Sequence, residues 1–192
     1  MRIIGGTRKG RKLVPWEDTG IRPMRDFVRG ALYSILLEFV SEARFLDVFA
    51  GTGSVGLEAL SRGADSCVFV DASAYACGIV RRNLALLELL EHGQVLCMDY
   101  ADALGHLSRR GRRFDLVFVG PPYGRGLAAS AVELIGVGKL LGPDPVVVAE
   151  VRKQAQLPEQ TGVLVRVDHR RYGDNELHFY RRLDERQGEE RT

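Results

Sequence analysis

At 192 residues, of which 45% are hydrophobic, the chain has the length of one domain and enough apolar side chains to bury a sizeable core. The formal net charge is only +2, yet residues 1–30 hold eight Lys or Arg against three acids, and arginine outnumbers lysine 23 to 4, so a basic front on a near-neutral body points to a polyanion partner. Cys67, Cys77 and Cys97 show no C-x-x-C spacing, the four histidines no ligand spacing, and no apolar run nears the roughly 18 residues a membrane span needs; neither a disulfide framework nor a zinc site is supported, and a cytoplasmic protein with no membrane partner is expected.

Met1 to Leu13 predicts a short two-stranded ribbon, bent at Gly5, Gly6 and Gly10, with basic flanks. Its ordering rests on Ile3, Ile4 and Leu13. A loop over 15–23 leads to an amphipathic helix over 24–40, with Phe27, Val28, Ala31, Leu32, Ile35, Leu36 and Phe39 on its apolar face. Arg22, Arg25 and Arg29 fall on the other side, as a solvated face or as the rim of a pocket. From Arg44 onward strands (45–49, 67–70, 94–98, 114–119, 146–151) alternate with helices (54–62, 73–89, 100–109, 127–140). Nearly continuous apolar strands separated by helices predict a parallel sheet covered on both faces, a doubly wound α/β fold. Val163 to His169 and Glu176 to Arg182 have only 170–175 between them, which predicts an antiparallel hairpin at one sheet edge. The expected organisation is a ribbon and helix (1–43), an α/β domain (44–183) and a charged tail (184–192).

The corner F-L-D-V-F-A-G-T-G-S-V-G (45–56) reads as strand, tight turn and helix. Gly51, Gly53 and Gly56 spell the dinucleotide fingerprint, so spacing alone leaves NAD open. Asp47, four residues before Gly51, would repel a pyrophosphate but suits a phosphate-free cofactor with a cationic amino acid end, such as S-adenosylmethionine. Ligands of such sheets sit beyond the carboxyl ends of the strands. Asp71 ends the second strand and can accept ribose hydroxyls, or serve as a helix cap. Asp99 follows the third strand and can accept from an adenine amine. After the fourth strand come Gly120, Pro121, Pro122 and Tyr123. Two prolines fix the turn and leave carbonyls without competing N–H groups, and an aromatic side chain there can stack on a flipped base.

Taken together, R-I-I-G-G-x-x-x-G-R-K-L, R-P-x-x-D-x-V-R-x-x-L-Y (22–33), L-D-V-F-A-G-T-G-S-V-G-L-E-A-L-S-R-G-A, the x-P-P-Y turn and R-Y-G-D-N-E-L resemble the RsmD family of bacterial 16S ribosomal RNA guanine-N2 methyltransferases. The resemblance implies a class I, Rossmann-like methyltransferase fold with a mostly parallel seven-stranded sheet ending in an antiparallel hairpin. It implies S-adenosylmethionine as cofactor, S-adenosylhomocysteine as product and no metal. The substrate would be one guanine of 16S rRNA, in the small subunit or an assembly intermediate, and the enzyme a monomer. Asp47, Phe49, Gly51, Gly53, Asp71 and Asp99 would hold the cofactor. Gly120, Pro121, Pro122 and Tyr123 would form the catalytic turn, and Arg2, Arg8, Lys9, Arg11, Lys12, Arg22, Arg25 and Arg29 would grip rRNA phosphates. The family pattern has Asp where this chain has Gly120, which removes one side-chain acceptor for the reacting amine. A weakened family member that binds cofactor and rRNA, and a DNA amino methyltransferase, are the alternatives this leaves.

Overall fold

Four nearly continuous apolar segments, over 45–49, 67–70, 114–119 and 146–151, fit the middle of a covered sheet, with 94–98 at its edge. The computed structural model, which describes residues 1–16, 24–122, 126–153 and 155–183, places them so. Strands β1 (Arg44–Val48), β2 (Ser66–Asp71), β3 (Gly93–Cys97), β4 (Phe114–Val119) and β5 (Leu141–Arg152) are parallel, and β6 (Gln160–Thr161), β7 (Leu164–Tyr172) and β8 (Asn175–Arg182) close the sheet antiparallel, in the order β3-β2-β1-β4-β5-β8-β7-β6. The chain reverses strand order between β1 and β4. That switch point opens a crevice above the carboxyl ends of both strands.

Strand alternation sends side chains to two cores. Phe45, Leu116, Phe118, Val146 and Val148 face α1 (Asp26–Ile35), α2 (Ser54–Ser61) and α3 (Ala74–Leu86). Leu46, Val48, Val117, Val119, Val147 and Ala149 face α4 (Tyr100–Arg109) and α5 (Leu127–Val137). Among the described residues no helix is long and apolar enough to cross a membrane.

The structure differs from the sequence expectation at several element boundaries and by one strand. An eighth strand, β6, covers the edge; with two residues it carries no alternation to read. Strand β5 begins five residues earlier than predicted, because its register against β4 shifts between Phe114 and Leu116 and absorbs Gly142 to Pro145. Helix α1 ends at Ile35 instead of Val40, and α3 at Leu86 instead of Leu89.

The N-terminal ribbon is only one bridge long, Arg2 against Lys12, tied by Ile3 N–H to Arg11 O (3.0 Å) and Leu13 N–H to Met1 O (3.1 Å). So short a ribbon cannot stand alone. Ile3 and Leu13 are buried in the same core as α1 and α2, and Ser61 Oγ donates to Gly5 O (2.6 Å) while accepting from Arg8 N–H (2.9 Å). Arg8 Nε and Arg11 Nη2 donate to Leu87 O and Leu86 O (2.8 and 2.6 Å), the orphan carbonyls at the end of α3. The arm thus lies along α2. Its turn meets Ser61 at one end of that helix, and its open end reaches Thr52 and Asn83 at the other, a span of about 12 Å.

Candidate active site

Between β1 and α2 the backbone takes positive φ at Phe49 (67°), Gly51 (54°) and Gly53 (74°). Such a turn favours glycine, and a Cβ built on Gly51 would meet nothing within 4 Å, so the loop faces open space at its tip. Four contacts hold it. Ala50 N–H donates to Val70 O (2.9 Å), Gly53 N–H to Ala50 O (2.7 Å), Gly51 N–H to Asp71 Oδ2 (2.8 Å) and Gly56 N–H to Asp47 Oδ2 (2.9 Å). Asn83 Nδ2 adds a fifth, to Thr52 O (3.1 Å).

Asp47 lies beneath this loop, 1% exposed, and burial pushes its carboxyl from 3.8 to about 7, the Gly56 N–H opposing. It clamps the corner from below. Asp71 is half-buried at the end of β2; besides Gly51 it accepts Ser73 N–H (2.9 Å), and each of its oxygens keeps a lone pair for a ligand. The helix cap expected of Asp71 belongs to Ser73, whose Oγ accepts from Ala76 N–H (3.3 Å) at the start of α3. Asp99 caps α4 through Ala101 N–H (2.8 Å) and remains exposed. The Phe49 ring packs at 4.9 Å from Tyr100. The crevice thus gathers Phe49, Gly51, Asp71 and Asp99 at the ends of β1, β2 and β3. A pyrophosphate fits it poorly, because the N–H groups of Gly51 and Gly56 are already taken by carboxylates. A diol beside Asp71 and a cationic amino acid end above the Asp47 clamp suit the charges present.

Strand β4 ends beside β1, and Gly120 N–H donates to Val48 O (3.2 Å). A Cβ on Gly120 would lie 2.6 Å from Phe118 Cε1, so a side chain at this position requires the Phe118 ring to turn. Pro121 is buried and Pro122 exposed. Tyr123 lies outside the described residues, as do Arg22 and the expected tail 184–192. A cavity of about 350 Å³ adjoins the turn, lined by Pro121, Pro122, Leu127, Ala128, Glu150 and Leu157.

Of the predicted basic residues, Arg2, Lys9, Arg11, Lys12 and Arg25 are exposed and Arg8 is half-buried. Arg29 departs from the expected basic surface. Its side chain is 0% exposed, 3.6 Å from Glu58 Oε2, and it donates to Arg2 O (2.6 Å) and Asp26 Oδ1 (3.1 Å). Glu58 also pairs with Arg62 (2.9 Å), so this acid is the anchor of an internal charge cluster. Sequence reasoning passed over Glu58, Asn83 and Glu150; an acid inside the apolar run V-V-V-A-E-V was the signal available for the last.

The family described as "Conserved hypothetical protein 95" matches residues 1–181. The chain is 36% identical to YlbH of Bacillus subtilis, over 95% of this chain and 99% of that protein. It is 34% identical to ribosomal RNA small subunit methyltransferase D of Escherichia coli, over 82% of this chain and 78% of that protein. Among solved structures, yhhF from Escherichia coli superposes with a TM-score of 0.83 at 31% identity, covering 95% of this chain and 97% of that one. With its strand order, its antiparallel closing hairpin and its glycine corner, the chain belongs to the RsmD family and has the class I methyltransferase fold.

Proposed function

We propose that this protein transfers a methyl group from S-adenosylmethionine to the N2 amine of a guanine in 16S rRNA, acting as a cytoplasmic monomer on the small ribosomal subunit or an assembly intermediate. The observation that carries the proposal is the Pro121–Pro122 turn at the end of β4, beside a glycine corner whose Gly51 and Gly56 N–H groups are already taken by carboxylates. The small-subunit rRNA methyltransferase named among the relatives supports the substrate class.

When bound, S-adenosylmethionine supplies an electrophilic methyl group on a sulfonium. Asp71 would accept the ribose hydroxyls, Asp99 the adenine amine, and the Gly51–Gly53 turn would receive the methionine end. The protein's task at the acceptor is geometric, because the lone pair of an exocyclic amine is delocalised into the ring. The Pro121 carbonyl would hold one amine hydrogen, which helps localise the lone pair on nitrogen and aim it at the donor methyl, and Tyr123 would stack on the extruded base. The exposed Arg2, Lys9, Arg11, Lys12 and Arg25, with Arg8, would hold phosphates.

Incubation with labelled S-adenosylmethionine and, in parallel, undermodified small subunits, large subunits and duplex DNA tests this. Label in the small subunit alone is the expected result. Label in DNA would establish the DNA amino methyltransferase reading, and cofactor binding without transfer would make this chain a weakened family member.

A further inference from the structure

Gly120 and Glu150 stand side by side where β4 and β5 leave the sheet core. Val119 is the register partner of Ala149, so the next residues are neighbours on strands about 5 Å apart. They also share a face. Phe118 belongs to one core with Val146 and Val148, whereas Val119 belongs to the other with Val147 and Ala149. Alternation therefore points Glu150 to the side that a side chain at residue 120 would take, the side on which a Gly120 Cβ meets Phe118.

Glu150 is 7% exposed, and it lines the cavity next to Pro121 and Pro122. Asn175 Nδ2 donates to its Oε1 (2.7 Å). Among the described residues no donor is seen at Oε2. Burial raises the Glu150 carboxyl above the ordinary glutamate value, with Asn175 opposing. A ligand carrying donors would complete the half-satisfied carboxylate. The apolar walls suit a flat base, and one acidic group suits one with adjacent donors. Guanine presents N1–H and N2–H side by side, a pair that matches the two oxygens of a carboxylate. Adenine offers a ring acceptor at N1 instead and would be repelled.

We infer that Glu150 is the residue that reads the N1–H and N2–H edge of the target guanine, supplying the side-chain acceptor that Gly120 lacks. Glu150 then holds one N2 hydrogen and Pro121 O the other. The inference rests on the proposed guanine substrate.

The test uses the full chain and four variants: Glu150→Gln, Asn175→Ala, Gly120→Asp, and Glu150→Gln combined with Gly120→Asp. Three quantities are read on undermodified small subunits: methyl transfer, binding of S-adenosylhomocysteine by calorimetry, and protection of guanine N1 and N2 from kethoxal with S-adenosylhomocysteine present and no turnover. The parent chain should shield one guanine edge. Glu150→Gln should uncover that edge and lower transfer about ten- to a hundredfold, the loss of one charge-assisted hydrogen bond, with S-adenosylhomocysteine affinity unchanged. Gly120→Asp should restore protection and part of the rate in the Glu150→Gln background, and Asn175→Ala should cost less than Glu150→Gln. Unchanged protection and transfer in Glu150→Gln would overturn the inference and leave the guanine reading standing. Equal losses in Asn175→Ala and Glu150→Gln, accompanied by weaker S-adenosylhomocysteine binding, would make Glu150 a structural residue and overturn it as well. If the parent binds S-adenosylhomocysteine but protects no guanine and transfers no label to rRNA, the substrate reading falls, and the inference with it.

Discussion

Asp47 and Asp71 both accept a backbone N–H of the glycine corner, yet only one of them meets water. Burial holds the Asp47 carboxyl near 7, so between 3.8 and about 7 the folded protein binds a proton that the unfolded chain has released. Stability of the ligand-free protein should therefore fall as pH rises through that window, by an amount of order 4 kcal/mol over its full width. Thermal melts from pH 4 to 8 check this, and Asp47→Asn should flatten the slope while keeping an acceptor for Gly56 N–H. Asp71 has free lone pairs at the crevice, and Asp71→Ala should weaken S-adenosylhomocysteine about ten- to a hundredfold in calorimetry, through the lost ribose acceptors and the freed Gly51 N–H. Both acids were legible because each stands at a strand end beside a glycine or turn, where a sheet of this kind binds ligands. Glu150 was not. It looks like one more strand residue until β5 is known to run past the end of β4 beside Gly120, and that neighbourhood is a property of register, set by pairing between segments some thirty residues apart.

At the scale of elements, the arm, α1 and α2 are joined by one buried acid. Glu58 accepts Ile4 N–H (2.9 Å), pairs with Arg62 and faces Arg29, whose side chain, like its own, has no exposure. Glu58→Ala would leave Arg29 charged, buried and without that acid. A loss of about 3–5 kcal/mol in denaturant unfolding is expected, far more than for an exposed pair such as Lys153–Asp174. Arg8, Arg11 and Arg29, which sequence alone would assign to RNA, thus help hold the arm to the domain. Charge and spacing showed a basic face, but whether an arginine on that face points out or in depends on what packs over it, and Ile3 and Leu13 bring the arm over Arg29. The strand and helix alternation from Arg44 to Val151 was readable because apolar runs and glycine turns are local signals. The two-residue β6 and the early start of β5 were not, since Gln160 and Thr161 carry no alternation and Pro143 and Pro145 break the strand pattern.

Across the whole molecule, the exposed cations of the arm extend away from the crevice along α2, so phosphate contacts would flank the reacting base at a distance of about a helix length. Binding to small subunits should weaken steeply with salt. Replacing Lys9, Arg11 and Lys12 together by Ala should lower affinity and shallow the salt slope by about one per lost phosphate contact, with S-adenosylhomocysteine binding unaffected. The measurement that tests the central claim most directly is the chemical identity of the product. Small subunits lacking the modification are incubated with the protein and labelled S-adenosylmethionine, the rRNA is digested to nucleosides, and the labelled nucleoside is identified by mass and retention. The account predicts N2-methylguanosine from a single site in 16S rRNA. Label in methyladenosine, or spread over many guanines, would contradict it.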